Sequence, residues 1–335
     1  RNTPYACSMR LSLILLLLVC SSVLAREPTS QDYYQAATNA TAQGDHPLSI
    51  KLYTRLIQKM PLTANEMAQA YQLRAQQLEI LGRYEEAIAD YTSALDLDPT
   101  KLGSWCNRGN LYARKSNYSR ALRDYKKAAE VNPDFAPAYS SMGFVYLQRN
   151  QVELAKQNYQ KAIDLDPEAA AGFSGRALVL EIEGDLTNAL VDAERAMALA
   201  PDMAIAHATA GNVYRRLGHP QKGLVALDQA LSLDPDMVDA LHARAAIYIS
   251  LDETEKAQRD LDKALALHPD QAYLLLRRGV AFQAEGKFEE ALDAYGKALK
   301  QNHRIDVIYL NRTRIFQKQG RWEDAMKDVE TAIKY

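Results

Sequence analysis

From residue 68 onward, apolar residues recur at i, i+3, i+4 and i+7 in successive blocks, as in "AYSSMGFVY" at 138–146. That spacing places them on one face of a helix. Gly82, Gly184, Gly218, Gly286 and Gly320 interrupt the pattern, which predicts a first helix, a tight turn and a second helix around each break. The second blocks end on phrases such as "LDLDP" (95–99), "LSLDP" (231–235) and "LALHP" (265–269), whose proline cannot continue a helix. Pro99, Pro133, Pro167, Pro201, Pro235 and Pro269 are each 34 residues apart. A fixed period makes the repeat the unit of organisation, so 335 residues need not form separate globular cores.

With each proline taken as position 32, units begin at Ala68, Leu102, Ala136, Ala170, Ala204, Val238, Ala272 and Asp306. Position 8 then carries Ala75, Gly109, Gly143, Ala177, Gly211, Ala245, Gly279 and Thr313, small residues where two helices come close. Position 24 answers with larger side chains, among them Tyr91, Tyr125, Tyr159, Leu227, Leu261 and Tyr295. Upstream, "SIKLYTRLIQKMP" (49–61) aligns with "AIADYTSALDLDP" and marks a divergent unit with Gly44 at its turn.

Trp105-x2-Arg108-Gly109-x2-Tyr112, followed by Ala121-x3-Tyr125 and Pro133, resembles the 34-residue tetratricopeptide repeat, with Arg and Tyr in place of its usual Leu and Phe. The resemblance covers residues 68–335. It implies an all-α fold, a right-handed α-solenoid superhelix of helix–turn–helix units, with a divergent N-terminal repeat at 26–67 and eight tandem units at 68–335, the last one truncated.

Two charged positions vary together. Arg74, Arg108, Arg176, Arg244 and Arg312 at position 7 are matched by Asp90, Asp124, Asp192, Asp260 and Asp328 at position 23. Units with Met142 or Ala210 at position 7 carry Asn158 or Ala226 instead, and Arg278 alone faces an alanine, Ala294. Matched loss of both charges points to structural ion pairs inside each repeat, not to a row of ligand-binding arginines.

At the N-terminus, "MRLSLILLLLVCSSVLA" (9–25) reads as a secretory leader: Arg10 supplies the positive region, Leu13–Cys20 the apolar run and Val23-x-Ala25 the cleavage site. Its apolar stretch falls short of the ~20 residues that span a bilayer, and Val19 before Cys20 disfavours lipid attachment. Residues 1–8 then precede the natural start at Met9. The expected location is a periplasm, the cell exterior or a secretory lumen, with no membrane span after cleavage. Loss of Arg1 and Arg10 leaves 38 Lys+Arg against 42 acids, a net charge of −4 with both signs interspersed, which argues against nucleic acid as a partner. Of three cysteines only Cys106 lies beyond the leader, so no internal disulfide forms. Asn39, Asn117 and Asn311 begin glycan acceptor triplets, of which Asn117 falls at a predicted turn.

The six histidines (46, 207, 219, 242, 268, 303) have no metal-ligand spacing, and no nucleophile elbow or phosphate loop is present. Asp96/Asp98 and Asp164/Asp166 lack the glycine and glutamate of a calcium loop. No catalytic residues, metal or cofactor are expected. The family resemblance instead implies a concave groove lined by positions 2, 5, 6, 9, 12 and 13 of the first helices. In the N-terminal half these include Gln72, Gln76, Asn107, Asn110, Ser140, Phe144, Leu147, Ser174 and Leu178, suited to holding an extended peptide. The C-terminal half turns basic, with Arg215, Arg216, His242, Arg277, Arg314 and Lys318 beside Asn212. An acidic segment is expected to point its acid end toward Arg277 and Arg314. The clamp of chaperone-tail-binding members is matched only partly, by Asn107 after Gln72 and Gln76 or by Asn212 with Arg277. The leading expectation is a non-enzymatic exported scaffold for a peptide or protein; the alternative is the N-terminal part of a lumenal co-chaperone or transferase whose catalytic or J-type domain follows Tyr335.

Overall fold

A computed structural model of the protein describes residues 27–302 and 305–334. The expected leader, the residues before it, Arg26, His303 and Tyr335 lie outside the described residues. Among those described, the chain forms eighteen helices and no strand. They fall into two compact units, divided between Asn132 and Pro133. The 34-residue period does not distinguish that proline from the other five.

The first unit holds α1 (Ser30–Ala42), α2 (His46–Lys59), α3 (Ala64–Ile80), α4 (Tyr84–Leu97), α5 (Leu102–Arg114) and α6 (Tyr118–Val131). The second holds α7 (Ala136–Gln148), α8 (Val152–Leu165), α9 (Ala170–Glu183), α10 (Leu186–Leu199), α11 (Ala204–Arg216), α12 (Pro220–Leu233), α13 (Val238–Ser250), α14 (Thr254–Leu267), α15 (Ala272–Ala284), α16 (Phe288–Gln301), α17 (Asp306–Lys318) and α18 (Trp322–Lys334). Odd-numbered helices are the first of each pair and even-numbered ones the second. In each unit a second helix packs on its own first helix and on the first helix of the next pair. In the second unit successive first helices also pack directly on one another. No described helix is long and apolar enough to cross a membrane.

Local chemistry sets the punctuation. Thr29 and Thr63 form capping boxes with Asp32 and Glu66 at the starts of α1 and α3, and α3 begins four residues before the 34-residue register would start it. The turn inside each pair passes through a left-handed residue, φ 71° at Gly82 and 75° at Gly286, which glycine adopts without a Cβ penalty. The same place in three other pairs is taken by Ser116 (φ 57°), Asn150 (φ 55°) and Asp252 (φ 62°), breaks that a search for glycine does not reveal. Between pairs, the aspartate of the proline phrase closes a turn: Asp98 Oδ1 accepts from the Thr100 amide at 3.0 Å and Asp166 Oδ1 from the Glu168 amide at 3.0 Å.

The core follows the small-against-large pattern. A Cβ added to Gly109 would lie 2.5 Å from a ring carbon of Tyr125, so α5 approaches α6 closely because position 8 has no side chain. Tyr91, Tyr125 and Tyr295 are at most 1% exposed. Full burial of side chains this large contributes about 2–3 kcal/mol each.

Candidate functional site

The charges that recur from repeat to repeat are held inside the repeats. Arg74 Nε lies 2.7 Å from Asp90, Arg108 Nε 2.8 Å from Asp124, Arg176 Nε 2.6 Å from Asp192, Arg244 Nη2 2.6 Å from Asp260 and Arg312 Nε 3.0 Å from Asp328. Four of these arginines donate from Nε and Nη2 to the two oxygens of one carboxylate. Each of the four also reaches back with Nη1 to the preceding second helix: to Thr54 and Thr92 at 2.9 Å, to Gln160, and to Asp228 at 2.7 Å. One guanidinium thus ties three helices, a role the within-repeat covariation does not disclose. Arg278, which faces Ala294, bonds Asp262 of the preceding repeat at 3.1 Å.

In the first unit most groove candidates are already engaged. Gln72 accepts from the Ser104 hydroxyl at 3.1 Å, Asn107 donates to the Tyr91 hydroxyl at 3.1 Å and Asn110 accepts from the Tyr125 hydroxyl at 2.7 Å. Gln76 is half-buried. Asn107 and Asn110 thus hold the hydroxyls of tyrosines that pack between the helices. Asn117 caps α6 by accepting from the Arg120 amide at 3.3 Å, and Asn311 is buried.

The second unit sorts its candidates more sharply. Ser140 is half-buried and Phe144 is 46% exposed. Leu147, expected in the groove, instead packs with Ala155, Tyr159 and Val179, and Ser174 is buried at 2% exposure; both belong to the helix packing. Lys318 is exposed, with its ammonium 5.5 Å over the Phe288 ring on a second helix. Arg314 is exposed and donates to Asn311 at 3.3 Å.

What remains is a chain of polar side chains running from one first helix to the next. At about 100° per residue these positions lie away from the stripe that meets the second helices. Glu181 on α9 accepts from Asn212 and, at 3.2 Å, from Arg216, both on α11. Asn212 Oδ1 in turn accepts from Arg215 Nε at 3.0 Å and Nη2 at 2.8 Å. On the next two first helices, Arg277 Nε of α15 donates to His242 Nε2 of α13 at 3.2 Å. The Tyr273 ring meets His242 edge-on, with centroids 5.0 Å apart. Glu181 and Tyr273 fall at groove positions 12 and 2 of their repeats, so the register could have pointed to them, but neither is among the side chains singled out from the sequence.

Two arginines here differ from the rest. Among the described residues, Arg215 and Arg277 are the only half-buried arginines with no carboxylate within 4.0 Å. Arg215 Nη1 and both Nη atoms of Arg277 find no acceptor among those residues. Burial, then the neighbouring Arg216, lowers the Arg215 pKa against the pull of Glu181; burial and Arg215 lower that of Arg277. Burial pushes His242 down to about 3, reinforced by Arg277 and Arg215, so the ring is neutral. The arrangement presents fixed, partly desolvated donors to an anion. No cluster of metal-ligating residues occurs among the described residues.

Fold and face together define an α-helical repeat scaffold. Family models for the tetratricopeptide repeat match residues 104–135, 142–204, 204–237, 238–271 and 272–304, and a TPR-repeat model matches 78–116. The chain belongs to the tetratricopeptide repeat family. A curated relative, the Protein SGT1 homolog of Oryza sativa subsp. japonica, is 35% identical over 80 residues, covering 24% of this chain and 21% of that protein. Among solved structures, a tetratricopeptide repeat protein from Parabacteroides merdae superposes with a TM-score of 0.58 at 17% identity, over 78% of this chain and 98% of the other. The APC/C hetero-tetramer Cut9–Hcn1 gives 0.66 at 14% identity, over 98% and 78%. Human IFIT1 with m7Gppp-AAAA gives 0.56 at 18% identity, over 79% and 68%.

Proposed function

We propose that the protein is a non-enzymatic scaffold whose second unit receives an extended, acidic protein segment on its first-helix face. The observation that carries this reading is the contrast among arginines: those at the helix-pair contacts have internal carboxylates, while Arg215 and Arg277 are half-buried without one. A desolvated cation gains most from an acid brought by a partner. The Cut9–Hcn1 neighbour is itself a protein assembly, in keeping with a protein partner. IFIT1 carries a capped oligonucleotide, but the net charge of −2 here, with signs interspersed, favours a protein segment over nucleic acid. Arg215 and Arg277 replace Arg277 and Arg314 as the anchoring pair, because Arg314 is exposed.

The leader-like residues 9–25 support a scaffold that works after export, with Arg26 as its first residue. Expression of the full reading frame in a secretion-competent host and N-terminal sequencing of the exported product tests that proposal; a retained leader refutes it. Binding is tested by selecting a displayed random-peptide library on the full chain. Enrichment of Asp and Glu is expected, lost when Arg215→Gln and Arg277→Gln are combined. Peptides without acidic bias, or binding that survives the double change, overturn the reading.

A further inference from the structure

Resting on the reading of Arg215 and Arg277 as an anion site, we propose that His242 is its proton-coupled donor. Entry of an anionic group between the two guanidinium groups is accompanied by uptake of one proton on His242 Nε2. The site therefore holds its ligand more tightly as the solution becomes more acid.

The hydrogen bond that defines the unliganded state also limits it. Arg277 Nε donates to His242 Nε2 at 3.2 Å, so that nitrogen carries its lone pair and the ring proton is on Nδ1. Protonating Nε2 with the site empty would set a buried imidazolium against two guanidinium groups. The groups around the ring are few. Arg215 approaches from α11, and Arg277 and Tyr273 from α15, with burial and then Asp239, on His242's own helix, raising the Tyr273 pKa. On the second helices α12 and α14, Asp228 and Asp260 are both held by Arg244. With those two paired and Asp239 acting on Tyr273, the charges that bear on the ring are those of Arg277 and Arg215.

An incoming carboxylate, sulfate or phosphate changes that balance. Its charge offsets Arg215 and Arg277, its oxygens engage the free Nη donors, and Nε2–H becomes a further donor to it. Arg277 Nε is released from the imidazole and can join the anion. Linkage then requires that proton and anion each favour the other's binding. The free ring is held near 3 by burial and the two arginines, so binding that restores it toward its ordinary 6.5 makes affinity rise as pH falls below about 6.5.

The test uses the full chain and two probes: inorganic sulfate, whose charge is constant over the range, and an amino-blocked Gly-Ser-Gly-Asp-Glu-Asp peptide with a free carboxyl terminus. Affinities are measured by calorimetry between pH 5.5 and 8, in buffers of different ionisation enthalpy that reveal proton uptake. Tightening approaching about tenfold per pH unit on the acid side is expected, with up to one proton absorbed per anion. His242→Gln should abolish both the slope and the uptake. NMR of the His242 ring protons in the unaltered chain supplies a check independent of that variant: the titration midpoint should rise when sulfate saturates the site. Binding of either probe without a pH slope, or a midpoint that sulfate does not move, overturns the proton coupling and leaves the acidic-segment reading intact. Coupled sulfate binding with no peptide binding refutes the segment reading alone, and failure of both probes to bind refutes both.

Discussion

Asp124→Asn should destabilise the first unit by about 2–3 kcal/mol, and Arg108→Met by a similar or larger amount, yet the two together should cost less than either alone. The Arg108 and Asp124 side chains are 13% and 3% exposed and share bonds of 2.8 and 2.9 Å. Removing one partner of a buried pair costs about 3–5 kcal/mol, and the solvent still reaching Arg108 places Asp124→Asn at or below the lower end. Arg108→Met strands a nearly inaccessible carboxylate and also removes the donor to Thr92. The double change installs what the next repeat already carries: Met142, 5% exposed, beside Asn158, whose amide donates to the Leu154 carbonyl at 2.8 Å. A coupling energy of about 2 kcal/mol or more is therefore expected. Trp105 lies against Arg108, the guanidinium carbon 4.9 Å from a ring centroid, and the chain has one other tryptophan, Trp322. Urea unfolding followed by Trp105 fluorescence in a Trp322→Phe background reads the first unit selectively. Single-variant costs that add to the double within about 0.5 kcal/mol would show that covariation between these positions does not reflect an energetic coupling.

Ser116→Gly should raise the urea midpoint, by about 0.5–1 kcal/mol of stability, because Ser116 occupies a left-handed φ of 57°; Asn150→Gly should gain less, and a loss of stability for Ser116→Gly would refute the strain argument. Cys106, its thiol pushed up to about 12 by burial and then by Asp124, should resist alkylation at pH 8 until urea opens the first unit, and rapid labelling of the folded chain would contradict its burial. The folded His242 ring, depressed to about 3, binds its proton after the unfolded chain does near 6.5, so its contribution to stability is lost as pH falls from about 6.5 toward 3. His242→Gln should make the acid limb of thermal unfolding shallower than in the parent, and identical limbs would count against the buried neutral ring.

Much of the fold is legible because repetition supplies an internal comparison. The spacing of prolines and the opposition of Gly109 to Tyr125 recur often enough to separate rule from accident, and both correspond to physical contacts. Legibility fails where one position has several physical solutions. Ser116, Asn150 and Asp252 turn the chain as glycine does elsewhere, so the turns in their repeats give no glycine signal. In the groove, a position number specifies which way a Cα–Cβ bond points but not what the side chain meets. Leu147 turns into the helix packing, the Lys318 ammonium stands over the Phe288 ring, and Glu181, at groove position 12 but not among the side chains singled out from the sequence, organises Asn212 and Arg216.

The arginines show how packing and binding residues separate within one periodic chain. A guanidinium at position 7 can be satisfied entirely from inside, because position 23 of its repeat and the second helix of the preceding repeat both lie within reach. Where the internal acid is absent, the arginine either finds another, as Arg278 does in Asp262, or is replaced, as at Met142 and Ala210. Arg215 and Arg277 do neither: they stay charged and half-buried, bonded only to an amide and an imidazole. Burying such a group without a counter-charge works against stability. Their presence on α11 and α15, the two first helices that flank α13 and its His242, is therefore better explained by an acid that arrives from outside the chain than by any contact within it.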